Sequence, residues 1–123
     1  MIHHPELAQL LHIAESIPGD PQVDDYGALV TAVARPSAAV GGIECYQTLT
    51  GKAAVLLQTL ALLGPLEHSN LRFGWYAAVG FLEANGVRLK PDPARATALL
   101  SQVAPGMPGV RALARDLREW AES

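Results

Sequence analysis

Between two apolar stretches the chain reads "LGPLEHSNLRF", Leu63 to Phe73, and so gathers Glu67, His68, Ser69, Asn70 and Arg72 in one short polar segment. Such a segment leading into an apolar helix has an evident chemical use. The first N–H groups of a helix have no partner in the helix and carry partial positive charge, so they attract phosphates. Asn70 can hydrogen-bond a phosphate oxygen there, and Arg72, on the first turn, can hold one with a charge-assisted fork. The same residues admit a plainer role, in which Ser69 and Asn70 only cap the helix.

The elements that would position this segment are helical. Leu7, Leu10, Leu11 and Ala14 recur at steps of three and four, predicting a first helix from about Pro5 to Ile17, closed by the breaker cluster Pro18 to Pro21. Asp24 or Asp25 can cap a second helix whose apolar side is Leu29, Val30, Val33 and Ala34 and which stops at Pro36. Ser37 to Gly42 reads as a loop or a short turn of helix. A third helix, from Gln47 to Leu63, becomes apolar on every side in its second half and belongs at the centre. A fourth runs from Asn70 to Ala84 with little polar face, so it too is expected to be buried. Its Gly74, Ala77, Ala78 and Gly80 are small enough for close packing on the third. Asp92 and Pro93 open a fifth helix. "PGMPG", residues 105–109, separates it from a last amphipathic helix of about Val110 to Ala121. No segment alternates with the two-residue period of a strand. The expectation is a single all-α domain, residues 1–123, of about six helices around a central buried pair.

Composition narrows the function. With 123 residues, half of them apolar and 17% charged, the chain can bury one core and is not disordered. A net charge of −3 argues against nucleic acid as a partner. Arg111, Arg115 and Arg118 read as the solvated face of the last helix rather than a phosphate-tracking stripe. Cys45 is the one cysteine, which excludes an internal disulfide, fits a reducing cytosol, and reads as a small buried thiol rather than a nucleophile. The first residues lack the pattern of a secretory signal, and the longest apolar run is too short for a membrane span, so a cytoplasmic protein is expected. His3, His4 and His12 have no metal-ligand spacing with a second cluster.

The segment Gly64-Pro65-Leu66-Glu67-His68-Ser69-Asn70-Leu71-Arg72 resembles the active-site motif of the Fic/Doc family, His-x-Phe-x-Asp-Gly-Asn-Lys/Gly-Arg, and in particular its death-on-curing (Doc) branch. "GALVTAVARP", Gly27 to Pro36, is similar to the Doc-type "GLLDSALARP". "GKAAVLLQTLAL" and "FGWYAAVGFLEANGVRL" resemble the helices that enter and leave the loop, so the likeness runs from about Val23 to Asp92. It implies a compact helical fold and a toxin that transfers a phosphate or nucleotidyl group from a nucleoside triphosphate such as ATP, with Mg²⁺, to a protein hydroxyl. In the Doc branch the target is a translation elongation factor, and an antitoxin adds a helical segment beside the toxin's groove.

The departures from the motif bear on activity. At the position of the family's general base stands Gly64, which has nothing to titrate. His68 replaces the acidic residue that helps hold Mg²⁺, Ser69 the glycine that lets phosphate approach the backbone, and Leu71 the lysine. Imidazole suits a hard, oxygen-seeking cation poorly. Ser69, Asn70 and Arg72 are therefore the phosphate-binding candidates. His68 is the candidate substitute base, or else an ordinary surface histidine, and Glu67 or His68 is the candidate metal ligand. Arg35 stands in the similar "ARP" context, and the resemblance implies a place beside the substrate groove, which that region borders in the Doc branch; it equally suits a helix C-terminus, where a cation offsets the dipole. Three functions follow: a Doc-like toxin, or a descendant of one, whose family chemistry is lost; a pseudoenzyme that keeps the fold as an interaction module, with or without nucleotide; or a helical scaffold with no ligand in this loop.

Overall fold

The computed structural model describes residues 2–103 and 109–122. Six α-helices account for most of these residues: α1 (Leu7–Glu15), α2 (Tyr26–Ala34), α3 (Leu49–Leu63), α4 (Asn70–Ala84), α5 (Pro93–Val103) and α6 (Val110–Trp120). The all-α class, the number of helices and the central pair agree with the sequence pattern. Most of the "PGMPG" break lies outside the described residues.

Helix α3 is the axis of the fold. Thr48 Oγ1 caps it by accepting the Gly51 N–H at 2.9 Å, and every residue from Thr50 to Leu60 is buried. A helix surrounded on all sides has no solvent face, which explains why it is apolar all round. Helix α4 packs along it, with α2 and α6 on other sides. The approach of α4 is set by Gly74: a Cβ there would lie 2.9 Å from the Leu57 carbonyl oxygen and 3.0 Å from Leu57 Cδ1. Ala77 and Ala78 continue the close contact, whereas Gly80 faces open space. Helix α4 is only half buried, contrary to the expectation from its composition. Phe73, Phe81 and Leu82 enter the core, while Arg72 and Tyr76 stand on an exposed face.

Helix α2 also differs from its predicted orientation. Asp25, not Asp24, is the cap, accepting the Ala28 N–H at 3.1 Å. The buried stripe is Ala28, Leu29 and Ala32, and Val30 is 56% exposed. A sequence as uniformly apolar as "YGALVTAVA" carries no periodicity from which to choose a face, and close packing on α3 selects the small alanines. Beyond Arg35–Ser37, a 3-10 turn, the stretch read as loop is a hairpin. Strands β1 (Ala39–Val40) and β2 (Ile43–Glu44) pair antiparallel, with Val40 opposite Ile43. Gly41 and Gly42 form the turn with φ of +58° and +81°, the two positive values that a tight hairpin turn demands. Cys45 follows the hairpin and is exposed, so its expected burial is incorrect. Its N–H completes the hairpin by donating to the Ala38 carbonyl, and the thiol is left outside the core.

The C-terminal helices close the molecule. Asp92 Oδ1 accepts the Ala94 N–H at the start of α5, as predicted. Leu113, Leu117 and Trp120 bring α6 onto the core, and Arg111, Arg115 and Arg118 lie on its exposed side. Arg95 links α5 to α6 through Glu119 at 2.8 Å; that hydrogen bond, with the carboxylate's charge, raises its pKa. Two short strands, β3 (Arg88–Leu89) and β4 (Ala121–Glu122), tie the chain end to the segment after α4. Among the described residues no helix is long and apolar enough to cross a membrane.

Candidate functional site

The polar segment becomes a loop from Gly64 to Ser69 that joins the C-terminus of α3 to the N-terminus of α4. Gly64 ends α3 in the left-handed conformation, φ +58°, with its N–H donating to the Leu60 carbonyl. Glycine is the residue that adopts this cap without a Cβ penalty. At the other end Ser69 precedes α4 and is also left-handed, at φ +66° and ψ +28°. Here an L side chain occupies a conformation that favours glycine.

Between these ends the loop is fastened to the segment joining α1 to α2. The Asp24 N–H donates to the Pro65 carbonyl at 2.8 Å, and Val23 bridges Leu66 in antiparallel fashion. The Glu67 N–H donates to the Gln22 carbonyl at 3.0 Å, and Glu67 Oε1 accepts the Gln22 N–H at 2.6 Å. The carboxylate proposed for a metal thus serves a backbone N–H. Asn70 is similarly engaged. Its Oδ1 accepts the Leu66 N–H at 2.9 Å and its Nδ2 donates to the Leu66 carbonyl at 3.0 Å. The amide expected to meet phosphate clamps the loop instead.

His68 lies exposed on the rim, its ring against Gly19, where a Cβ would meet Cε1 at 3.0 Å. Its Nδ1 is 2.8 Å from Ser69 Oγ. Ser69 and Arg72 open onto one hollow of about 550 Å³, with Leu71, Trp75, Tyr76 and Leu100 as its apolar walls. Trp75 is braced edge-on by Trp120, ring centres 6.4 Å apart. Arg72 is exposed and, among the described residues, forms no ion pair, so its guanidinium is open to an anion.

Arg35 does not join this hollow. It stands at the C-terminal cap of α2, and its Nη1 donates to Thr59 Oγ1 at 3.0 Å, with Gln58 Oε1 at 3.4 Å. The guanidinium also covers the Tyr46 ring at 5.8 Å. The C-terminal position expected for a dipole-offsetting cation is observed, and the side chain goes to α3. For Mg²⁺ the residues at the loop fit poorly. Glu67 is occupied by the Gln22 N–H, His68 is an imidazole, and no group of three or more His, Cys, Asp or Glu side chains suited to a metal occurs among the described residues.

Sequence reasoning missed Lys52. It is fully buried in the first half of α3, and its Nζ donates to the Pro36 carbonyl and to Glu44 Oε1, each at 3.0 Å. One ammonium therefore joins α3, the turn after α2 and the hairpin. The signal was a lone lysine in the apolar run "GKAAVLLQTLALL". A second hollow, of about 430 Å³, lies between α1 and α4, with Ala8, Ile13, Ala77, Gly80, Phe81 and Ala84 among its walls.

Fold and loop together define a small helical domain built around a polar loop that joins its two central helices, α3 and α4. No family model matches the chain. It is 48% identical over 88 residues to the protein called Toxin Doc of Mycolicibacterium smegmatis (strain ATCC 700084 / mc(2)155), an alignment covering 70% of this chain and 68% of that protein. The chain belongs to the Doc toxin family.

Proposed function

We propose that this chain is a Doc-type toxin component, or a descendant of one, from a bacterial toxin–antitoxin pair, and that it has lost the family's general base while keeping an anion site for nucleotide phosphate. The observation that carries the loss is Gly64. The residue at the position of the base is the left-handed cap of α3 and has no group that could take a proton. General-base catalysis is typically worth about 10²–10⁴-fold, so transfer to a translation-factor hydroxyl is expected to be slowed at least that much. What supports nucleotide binding is narrower than the sequence suggested. Asn70 is spent on Leu66, which leaves Arg72 and the first N–H groups of α4 to hold phosphate. An antitoxin is the expected partner, and the apolar hollow between α1 and α4 has the form to take its helical segment.

A second reading is favoured by the same occupied side chains. With Asn70 spent on the loop backbone at Leu66 and Glu67 on the Gln22 N–H, the fold would persist as an interaction module that binds its partner and needs no nucleotide.

Calorimetry of ATP binding, with and without Mg²⁺, separates the two. Binding that is lost in Arg72→Ala supports the phosphate site. Absence of binding at millimolar ATP overturns it and leaves the module.

A further inference from the structure

The residues that break the family motif are themselves chemically paired. Ser69 Oγ and His68 Nδ1 are 2.8 Å apart, within hydrogen-bond reach for a hydroxyl nucleophile and its base. Ser69 sits at the N-cap position of α4, yet its side chain makes no capping hydrogen bond, so the hydroxyl is not used by the helix. It opens onto the hollow that also holds Arg72. Its left-handed backbone is costly for a serine, and the 2.8 Å contact with His68 Nδ1 is what holds Oγ in place.

We propose that Ser69 is a phosphoryl acceptor within its own chain, with His68 Nδ1 as the base and a nucleoside triphosphate as the donor. The inference rests on the nucleotide reading above. In the step, Ser69 Oγ attacks the γ-phosphorus. The new O–P bond forms as the bond from that phosphorus to the β-bridging oxygen breaks. The hydroxyl proton passes to His68 Nδ1, and the nucleoside diphosphate leaves with the electron pair of the broken bond. Arg72, in the same hollow, offsets charge on the transferred group. The product suits the site better than the free serine does, because a phosphoserine at a helix N-terminus gains the unpaired N–H groups of the first turn and an arginine partner. Chemistry directed at a separate protein would thereby become modification of the loop itself, and the added charge would close the hollow to further nucleotide.

The test is intact-mass measurement over time on the purified chain with ATP, with and without Mg²⁺, alongside calorimetry. One phosphoryl adduct, located on Ser69 by peptide mapping, is expected. Ser69→Gly removes the hydroxyl, suits the left-handed backbone, and should abolish the adduct. His68→Gln should slow its formation by about 10²-fold or more with binding retained. An adduct that persists in Ser69→Gly, or a rate unchanged in His68→Gln as a copurifying kinase would give, overturns the assignment. ATP binding without any adduct overturns it and leaves the nucleotide reading standing; no binding and no adduct removes both.

Discussion

Asn70 grips Leu66 by both polar groups of its backbone, taking the N–H at Oδ1 and giving Nδ2 to the carbonyl. One side chain on the first turn of α4 thus holds the middle of the loop preceding it. Asn70→Ala should cost about 1–3 kcal/mol, since it leaves part-buried backbone groups without partners. Asn70→Asp, which keeps the acceptor and loses the donor, should fall between it and the parent in urea denaturation. Lost ATP binding in Asn70→Ala would then report a disordered loop as readily as a lost ligand contact. Arg72→Ala is the cleaner probe of the phosphate site.

Ser69 is a serine where the backbone favours glycine. Ser69→Gly removes a left-handed penalty of about 1–2 kcal/mol and adds a glycine's entropy cost of about 0.5–1 kcal/mol. A small gain in stability is expected, read as a raised denaturation midpoint with an unchanged slope.

Gly74 lets α4 touch the backbone of α3. In Gly74→Ala the new methyl would stand 2.9 Å from the Leu57 carbonyl oxygen, which is too close for any atom to accept without movement. Displacing one central helix from the other should cost about 1–3 kcal/mol, the usual range for overpacking. Thermal unfolding of Gly74→Ala beside Gly80→Ala is the matched comparison. The second methyl meets nothing within 4 Å, and its effect should be neutral or stabilising.

Lys52 and Glu44 are not equivalent halves of their ion pair. The lysine side chain is wholly buried and the glutamate 43% exposed. Glu44→Ala strands a buried ammonium on the Pro36 carbonyl alone, whereas Lys52→Met replaces it with an apolar chain of similar length. Removing one partner of a buried pair costs more than replacing the charge with apolar volume. Glu44→Ala should therefore be the less stable variant, by about 1 kcal/mol given the partial exposure of the pair. Hydrogen exchange should show the hairpin amides losing protection in both.

Much of the fold could be read from short-range chemistry. The apolar run of α3, the glycine that ends it, and the Asp92–Pro93 start of α5 are each decided within a turn of helix, so they are visible in sequence. The hairpin after α2 was missed because two strand residues on each side of Gly41–Gly42 are too few for a period to register. The direction of α2 was missed because uniform apolarity has no preferred face until α3 and its neighbours impose one.

The candidate site divides along the same line. From the sequence alone came the polar loop between two apolar helices, the helix N-terminus at Asn70, and the absence of a titratable side chain at Gly64. Only the tertiary structure decided what the polar groups of that loop do. Glu67 is taken by Gln22, 45 residues away, Lys52 by Glu44 on the hairpin, and Arg35 by Thr59 on α3. Residue type states what a side chain can donate or accept. Which partner it finds depends on the packing of segments distant in sequence, because a hydrogen bond forms only where the fold brings donor and acceptor within about 3 Å of each other.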